Sequence, residues 1–271
     1  MKSTHLIAGI AAMACLHASA SASLVFADDV RNKRFVTFDT LAPGAQTVLN
    51  AAMTTDYFGL DFDASATNLY GVKTVAGVSS VDLISQANGI FTSSATITGL
   101  DTGATVTGIT FDTANNAFLS AGGAAGYKLY SLNVGTGAAS LIGTMHATNI
   151  MIDIAMDTAG RMVAQDISTD SFFFVNPATA ALTLIGPHGL AANFAQGMDF
   201  DWSNNVLYAA VYTGGGTLTY GSVSLTTGAV TSIPGIVSGE YEMAVRNAVP
   251  EPATLAVLGF GVLAAIRRRK K

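Results

Sequence analysis

The sequence predicts an all-β chain whose central part is a five-bladed β-propeller with a composite closing blade, set between two targeting segments. A pair of short strands recurs about every 45 residues, and a hairpin follows each pair. Each period therefore supplies the four strands of a blade. The body shows no long helical period, and its two ends each hold a partial repeat that the other completes. A lectin-like β-sandwich is the alternative, because hairpins also recur in that fold.

The N-terminal segment has the pattern of a secretory signal peptide. Lys2 is followed by the apolar run 6–16 and then by small residues, which predicts a signal over 1–27 with cleavage between about residues 20 and 27. Cys15 is the only cysteine and lies inside this segment, with a lipoprotein signal as the weaker alternative. The mature chain therefore has no thiol for a disulfide, a nucleophile or a metal site.

The body, over residues 28–248, repeats a strand, a polar turn and a second strand. Four copies start at Gly59, Gly108, Asp153 and Gly197, at offsets of 49, 45 and 44 residues. A hairpin follows each copy, from Ser79 in a weaker form and then from Lys128, Ser171 and Thr219. These four copies, each with its hairpin, predict four of the five blades.

The fifth blade is predicted to join the two ends of the repeating region, residues 34–246. Residues 34–50 resemble the hairpin half of a blade, and residues 238–245 resemble a first strand without its remainder. Joining them would leave no open edge between the first and last blades. We expect Met243 and Val245 to lie beside the strand 34–39.

The body is strongly acidic, which excludes one class of partner. Residues 28–248 contain 17 Asp and Glu against 7 Lys and Arg, a net charge of −10, whereas the whole chain carries −5. A surface of this sign repels phosphates, so nucleic-acid binding is not expected.

The C-terminal segment, residues 249–271, combines a short motif, an apolar run and a basic tail. Residues 253–266 are apolar, and as a helix they would span about 21 Å, less than the ~30 Å of a bilayer core. Basic side chains after the run fix its orientation and can extend its effective span. The residues that carry the sorting prediction are Val249, Pro250, Glu251, Pro252, Arg267, Arg268, Arg269, Lys270 and Lys271.

This order of motif, apolar run and basic tail resembles the PEP-CTERM sorting signal of exported bacterial proteins. The resemblance implies recognition by an exosortase, a membrane protease-like enzyme. It also implies a transient tether at the inner membrane, followed by delivery to the cell surface or the extracellular polysaccharide matrix. A plain C-terminal anchor is the simpler alternative.

The body offers little material for catalysis. It lacks the HExxH, GxSxG, P-loop and GxGxxG patterns. His146 and His188 follow strand ends in successive repeats, where they could share a metal or acid/base site, although turn residues are expected there in any case. No cofactor is predicted other than a calcium ion.

The calcium prediction comes from one position of the innermost strands. The repeat alignment puts Asp61, Thr110, Ala155, Asp199 and Glu242 at one level of the channel. Three carboxylates there, Asp61, Asp199 and Glu242, would suit Ca²⁺. Asp61 with Asp63, and Asp199 with Asp201, could instead serve as acid/base pairs.

Two further positions have alternative interpretations. The aspartates that close the first strands are expected to accept backbone N–H bonds in the turns they open, and these are Asp63, Asp112, Asp157 and Asp201. Trp202, the lone tryptophan, lies in a predicted turn near Tyr208 and Tyr212. It is a candidate for stacking on a sugar ring, or it covers the edge of the core.

These observations predict an exported surface or matrix protein that acts as a non-enzymatic interaction or structural module associated with exopolysaccharide. The alternatives are a secreted propeller hydrolase or lactonase with a channel metal, and a carbohydrate-binding module.

Overall fold

The computed structural model describes residues 22–194 and 196–247. The predicted sorting signal and all but the last residues of the predicted signal peptide lie outside these ranges, and so do the apolar run 253–266 and the basic tail. The described residues form five four-stranded antiparallel sheets and no helix. They therefore include no helix long and apolar enough to cross a membrane.

Each sheet is one blade, and its strands follow one another from the central channel outwards. Blade 1 holds β20 (Tyr241–Arg246), β1 (Leu24–Asp29), β2 (Arg34–Asp39) and β3 (Ala42–Asn50). Blade 2 holds β4 (Leu60–Phe62), β5 (Leu69–Val75), β6 (Val78–Ile84) and β7 (Phe91–Thr96). Blade 3 holds β8 (Thr105–Phe111), β9 (Ala117–Gly123), β10 (Gly126–Asn133) and β11 (Ala138–His146). Blade 4 holds β12 (Met151–Met156), β13 (Met162–Asp166), β14 (Ser171–Val175) and β15 (Leu182–Pro187). Blade 5 holds β16 (Gly197–Asp201), β17 (Val206–Gly214), β18 (Thr217–Val223) and β19 (Val230–Ser232).

The inner strands close a ring around the channel. β4, β8, β12, β16 and β20 each pack against the inner strand of the next blade, and β20 packs against β4. The predicted five-bladed propeller is therefore confirmed. Five clusters of buried apolar side chains lie between successive blades, one at each interface. Burial of this surface between blades is the main force that holds the ring together.

The composite blade is confirmed, but one strand of it was missed. β20 pairs with β1, in the register Leu24 to Arg246 and Ala27 to Met243, and β1 in turn pairs with β2. The expectation that Met243 and Val245 lie beside the strand 34–39 is wrong by one strand. Residues 24–27 are small or apolar, which suits a signal peptide as well as a strand, but they begin β1, the second strand of the blade.

The two ends of the described body leave from one face of the propeller. β1 starts opposite the end of β20, so residue 24 and Arg246 are neighbours at the face where the inner strands finish. Asn247 is buried there, and its side chain bonds the backbone of Phe200 and Trp202. The folded body that the structure describes therefore extends to Asn247, two residues before the C-terminal segment 249–271.

The turns that follow the inner strands are built as the sequence predicts. The carboxylate of Asp63 accepts from the backbone nitrogens of Thr67 and Asn68, and that of Asp112 accepts from Ala114 and Asn116. The same arrangement recurs in the next two blades, at Asp157 and Asp201. The four aspartates therefore cap turns.

Candidate functional site in the central channel

Buried carboxyl groups line the channel, and most of them bind the backbone of the neighbouring blade. Asp61 accepts from its own neighbour Phe62 at 2.6 Å and from Phe111 of blade 3 at 2.9 Å. Asp199 accepts from Phe200 at 2.7 Å and from Val245 of blade 1 at 2.6 Å. Both oxygens of each carboxyl are therefore occupied.

Asp153 and Asp28 make the same kind of bridge. Asp153 accepts from Ile154 at 2.8 Å and from Met198 of blade 5 at 2.7 Å. Asp28, on the second strand of blade 1, accepts from Tyr57 at the entry to blade 2 at 3.0 Å. Four of the five blade interfaces are thus joined by a carboxyl that holds a backbone N–H across them, which is a structural role for these acids.

The predicted ring of three carboxylates at one level does not form. Asp61 and Asp199 bind the backbone nitrogens of Phe111 and Val245 on the next inner strands. In each case the bonded residue comes one position after the residue that lies level with the acid. The residue of β20 that lies level with Asp199 is therefore Ala244. Glu242 lies two residues earlier, beside Gly197, where it matches Asp153. The alignment that equated Glu242 with Asp61 and Asp199 is wrong by two residues, because strand periodicity preserves the face but not the level.

Asp153 and Glu242 therefore lie in one layer of the channel, and Asp61 and Asp199 lie in another. Within residues 22–194 and 196–247, no group of three or more His, Cys, Asp or Glu side chains is arranged to hold a metal ion. Calcium binding at Asp61, Asp199 and Glu242 stays a prediction, without a shared level of ligands to support it.

Burial shifts the titration of all these acids in one direction. Desolvation raises the pKa of Asp61 to about 7, against the opposing effect of its backbone hydrogen bonds. Desolvation raises the pKa of Asp28 to about 7 as well. It raises the pKa values of Asp153, Asp199 and Glu242 well above their ordinary range, and the neighbouring carboxyls add to each shift. The channel therefore favours neutral carboxyl groups.

A cavity of about 250 Å³ opens at the opposite end of the channel from the chain ends. Each blade contributes one residue near the start of its inner strand: Phe58, Thr107, Ile152, Phe194 and Glu242. Blade 3 adds one wall, which includes Val106 and Tyr127. The cavity is mainly apolar, and Glu242 is its one acidic lining residue in the described part of the chain.

Sequence reasoning missed this cavity, but it held a signal for the level of Glu242 in the channel. Phe58 and Phe194 lie in the loops that lead into β4 and β16, and a sequence gives no sign that such loops converge. Asp153 is the first residue of its repeat. Comparing DIAM at 153–156 with EMAV at 242–245 would have paired Asp153 with Glu242.

Trp202 belongs to the core between blades 4 and 5. Its side chain is 9% exposed, and its ring nitrogen donates to the carbonyl of Met156 at 2.8 Å. Tyr208 and Tyr212 lie in a different cluster, between blades 5 and 1. Little of the indole ring is left to stack on a sugar, so the geometry favours the interpretation that it covers the edge of the core.

The two body histidines do not form a joint site. His146 ends β11, and its Nδ1 accepts from the backbone of Thr148 and Asn149. His188 is buried against Phe172, and desolvation lowers its pKa. Each imidazole therefore contacts residues of its own blade or of the loop that leaves that blade.

Comparison with known proteins supports the two parts of the chain separately. Residues 248–270 match the PEP-CTERM protein-sorting motif. No curated protein sequence matches the chain. Solved structures resemble the body. TolB from Acinetobacter baumannii aligns with a TM-score of 0.52 at 9% identity, over 83% of this chain and 67% of that one.

Two other structures resemble it to a similar degree. A Bacteroides caccae protein of unknown function gives a TM-score of 0.53 at 10% identity, over 83% of this chain and 99% of that one. A chain of a nidogen/laminin complex gives 0.50 at 14% identity, over 84% and 99%. At these identities the likeness extends to the fold alone.

The fold and the motif together define the class of protein: an exported β-propeller that carries a sorting signal. The PEP-CTERM motif makes it an exosortase substrate, held at the membrane during sorting and then delivered to the cell surface. The predicted sorting residues fall within the matched range except for Lys271.

Proposed function

We propose that the propeller acts without enzymatic activity, as an interaction or structural module associated with extracellular polysaccharide. The observation that carries this proposal is the composition of the outer strands β3, β7, β11, β15 and β19. They contain no Asp, Glu, Lys or Arg, and most of their residues are exposed or half-buried. They present exposed apolar side chains, Val48, Phe91, Leu141 and Leu184, together with the polar groups of Thr, Ser, Gln and Asn. Such groups can exchange hydrogen bonds with sugar hydroxyls without the cost of removing water from a charge.

The use of the channel acids also supports a non-enzymatic role. A general base or a metal ligand must present a lone pair to its substrate or ion, whereas Asp61, Asp153 and Asp199 are buried and each of their oxygens accepts a backbone N–H group. Their principal task is to join blades.

The position of the chain ends suggests how the module would be presented. Both ends leave from the face where the inner strands finish, so a membrane tether would hold that face towards the bilayer. The outer strands and the cavity end of the channel would remain accessible to polymer while the protein is still tethered.

The test is co-sedimentation of the purified protein with extracellular polymer isolated from the producing cells. A variant with Glu at Thr47, Ser93 and Ser140, exposed positions of β3, β7 and β11, should lose most of its association. This result is expected because three desolvated charges would oppose contact with sugar.

The matched control places three Glu residues in exposed turns, at Ala87, Ala124 and Thr158. It adds the same charge and should sediment with polymer as the natural protein does. Equal loss in both variants would mean that total charge decides the association. Turnover in an esterase, lactonase or glycosidase panel would contradict the non-enzymatic part of the proposal and favour a hydrolase or lactonase.

A further inference from the structure

The cavity at the mouth of the channel has two features that belong to binding sites. Its walls are apolar, formed by Phe58, Val106, Ile152 and Phe194 with part of Tyr127. Glu242 lines the same cavity, as do Thr105 and Thr107. Glu242 is 2% exposed, and its Oε2 has no hydrogen-bond partner. A buried polar atom without a partner costs free energy, so a partner supplied by a bound molecule would be favourable.

The surroundings of Glu242 indicate which kind of partner it would accept. The cavity lining in the described part of the chain holds no Lys, Arg or His to balance a carboxylate. Asp28 faces Glu242 from β1, as its register partner, and Asp153 matches it on β12. Burial and the neighbouring acids raise the pKa of Glu242 well above its ordinary range. Its carboxyl group is therefore neutral. A neutral carboxyl can both donate and accept one hydrogen bond.

The size of the cavity limits the ligand further. A cavity of about 150 Å³ accommodates benzene, so 250 Å³ suits a molecule of about ten heavy atoms. A charged ligand is disfavoured. A cation would lose its hydration water in a mainly apolar cavity, and an anion would lie next to the channel acids.

We propose that this cavity binds a small, uncharged and mainly apolar molecule whose hydroxyl or carbonyl group bonds to Glu242. The site is separate from the outer strands that carry the polysaccharide proposal, and either can fail without the other. It opens on the face opposite the chain ends, so a tethered protein would present it away from the membrane.

The test measures the melting temperature of the full chain, purified in detergent, from the fluorescence of Trp202, its only tryptophan. The probes are 2-phenylethanol and ethylbenzene, which differ in the hydroxyl group. A ligand that binds only the folded state raises the melting temperature with concentration. We expect 2-phenylethanol to do so, with an apparent affinity about fivefold higher than that of ethylbenzene, the factor for one hydrogen bond.

Two matched variants locate the effect. Phe194 and Leu184 are 59% and 60% exposed, but only Phe194 lines the cavity. Phe194→Ala should abolish most of the response to 2-phenylethanol, whereas Leu184→Ala should keep it. Glu242→Gln preserves a neutral hydrogen-bonding group and should keep the preference for the alcohol, and Glu242→Leu should remove it.

The proposal is overturned if 2-phenylethanol produces no rise up to its solubility limit. It is also overturned if Phe194→Ala responds as the natural protein does, or if Glu242→Gln abolishes the preference. Should Glu242→Leu fail to fold, the pair Phe194→Ala and Leu184→Ala with Glu242→Gln still decides the outcome.

Discussion

Raising the pH should destabilise the propeller, because its channel holds carboxyl groups that are neutral when folded. Asp61 and Asp199 are both buried in the channel. Desolvation disfavours the ionised form of each carboxyl, and ionised Asp61 would also repel ionised Asp199, so the pair retains a proton. On unfolding, each group returns to its ordinary pKa and releases that proton.

The magnitude follows from the shift at Asp61. Its pKa rises from 3.8 to about 7, and each unit corresponds to about 1.4 kcal/mol. Between these values the folded protein binds more protons than the unfolded chain, so the free energy of unfolding falls as the pH rises. The total loss for one such proton is about 4 kcal/mol, most of it between about pH 4 and pH 8. That is a large part of the 5–15 kcal/mol typical of a domain.

Other buried groups also change how the free energy of unfolding depends on pH. Asp28, Asp153, Asp199 and Glu242 have raised pKa values and add to the loss at high pH. His188 has a lowered pKa, so it stays neutral when folded and costs stability as the pH falls below its ordinary pKa. A variant of one acid is therefore needed to isolate the contribution of the pair.

The assay is urea unfolding of residues 22–247 at a series of pH values and constant ionic strength. Asp61→Asn should be less stable than the natural body at about pH 4, because its amide cannot accept both backbone N–H groups, at a cost of about 1–3 kcal/mol. It should lose less stability as the pH rises, so the two curves should converge or cross. Asp39→Asn, at the exposed end of β2, removes one charge as a control and should follow the natural curve.

The reasoning would be refuted by a free energy of unfolding that stays level or rises from about pH 4 to pH 8. Parallel curves for Asp61→Asn and the natural body would refute it too, since they would mean that Asp61 has no share in the slope.

Deleting the basic tail 267–271 should release or misroute the protein, which fractionation of the producing cells would detect. Truncation at Gly239 removes β20, the inner strand of blade 1, and should abolish the cooperative unfolding transition seen by calorimetry. Gly108→Ala should destabilise the body by about 1–3 kcal/mol or more, because an added Cβ would lie 2.5 Å from Asp153 Oδ1 and 2.9 Å from the backbone nitrogen of Ile154. The calcium prediction requires Ca²⁺ to stabilise the body more than NaCl at matched ionic strength, whereas equal stabilisation fits carboxyl oxygens that only accept backbone bonds.

Each of these expectations has its own control or contrary result. Unchanged processing and location after the tail deletion would contradict the sorting assignment, and a truncated body that melts like the intact one would contradict the closure. Gly135→Ala, where the nearest atom lies 3.4 Å from the added Cβ, should change stability by less than about 0.5 kcal/mol. Excess stabilisation by Ca²⁺ that disappears in Asp199→Asn is the result that the calcium hypothesis requires.

The sequence by itself determined the number of blades, the order of their strands, the turn-capping aspartates and the sorting segment. These are local properties: strand alternation, turn residues and a motif are read over a few neighbouring positions. Even the composite closing blade could be inferred, because residues 34–50 and 238–245 each looked incomplete. The overlap with the signal peptide concealed β1, since an apolar run of small residues suits either role.

Only the tertiary structure decided which side chains meet in the channel. An alternating strand keeps the same face when it slips by two residues, so the sequence could place Glu242 towards the channel but could not fix its level against Asp199. The cavity depends on Phe58 and Phe194 converging from loops of different blades, and Trp202 is buried by a core built from two blades. Such contacts arise from the closure of the ring, and that closure is set by packing between residues far apart in the chain.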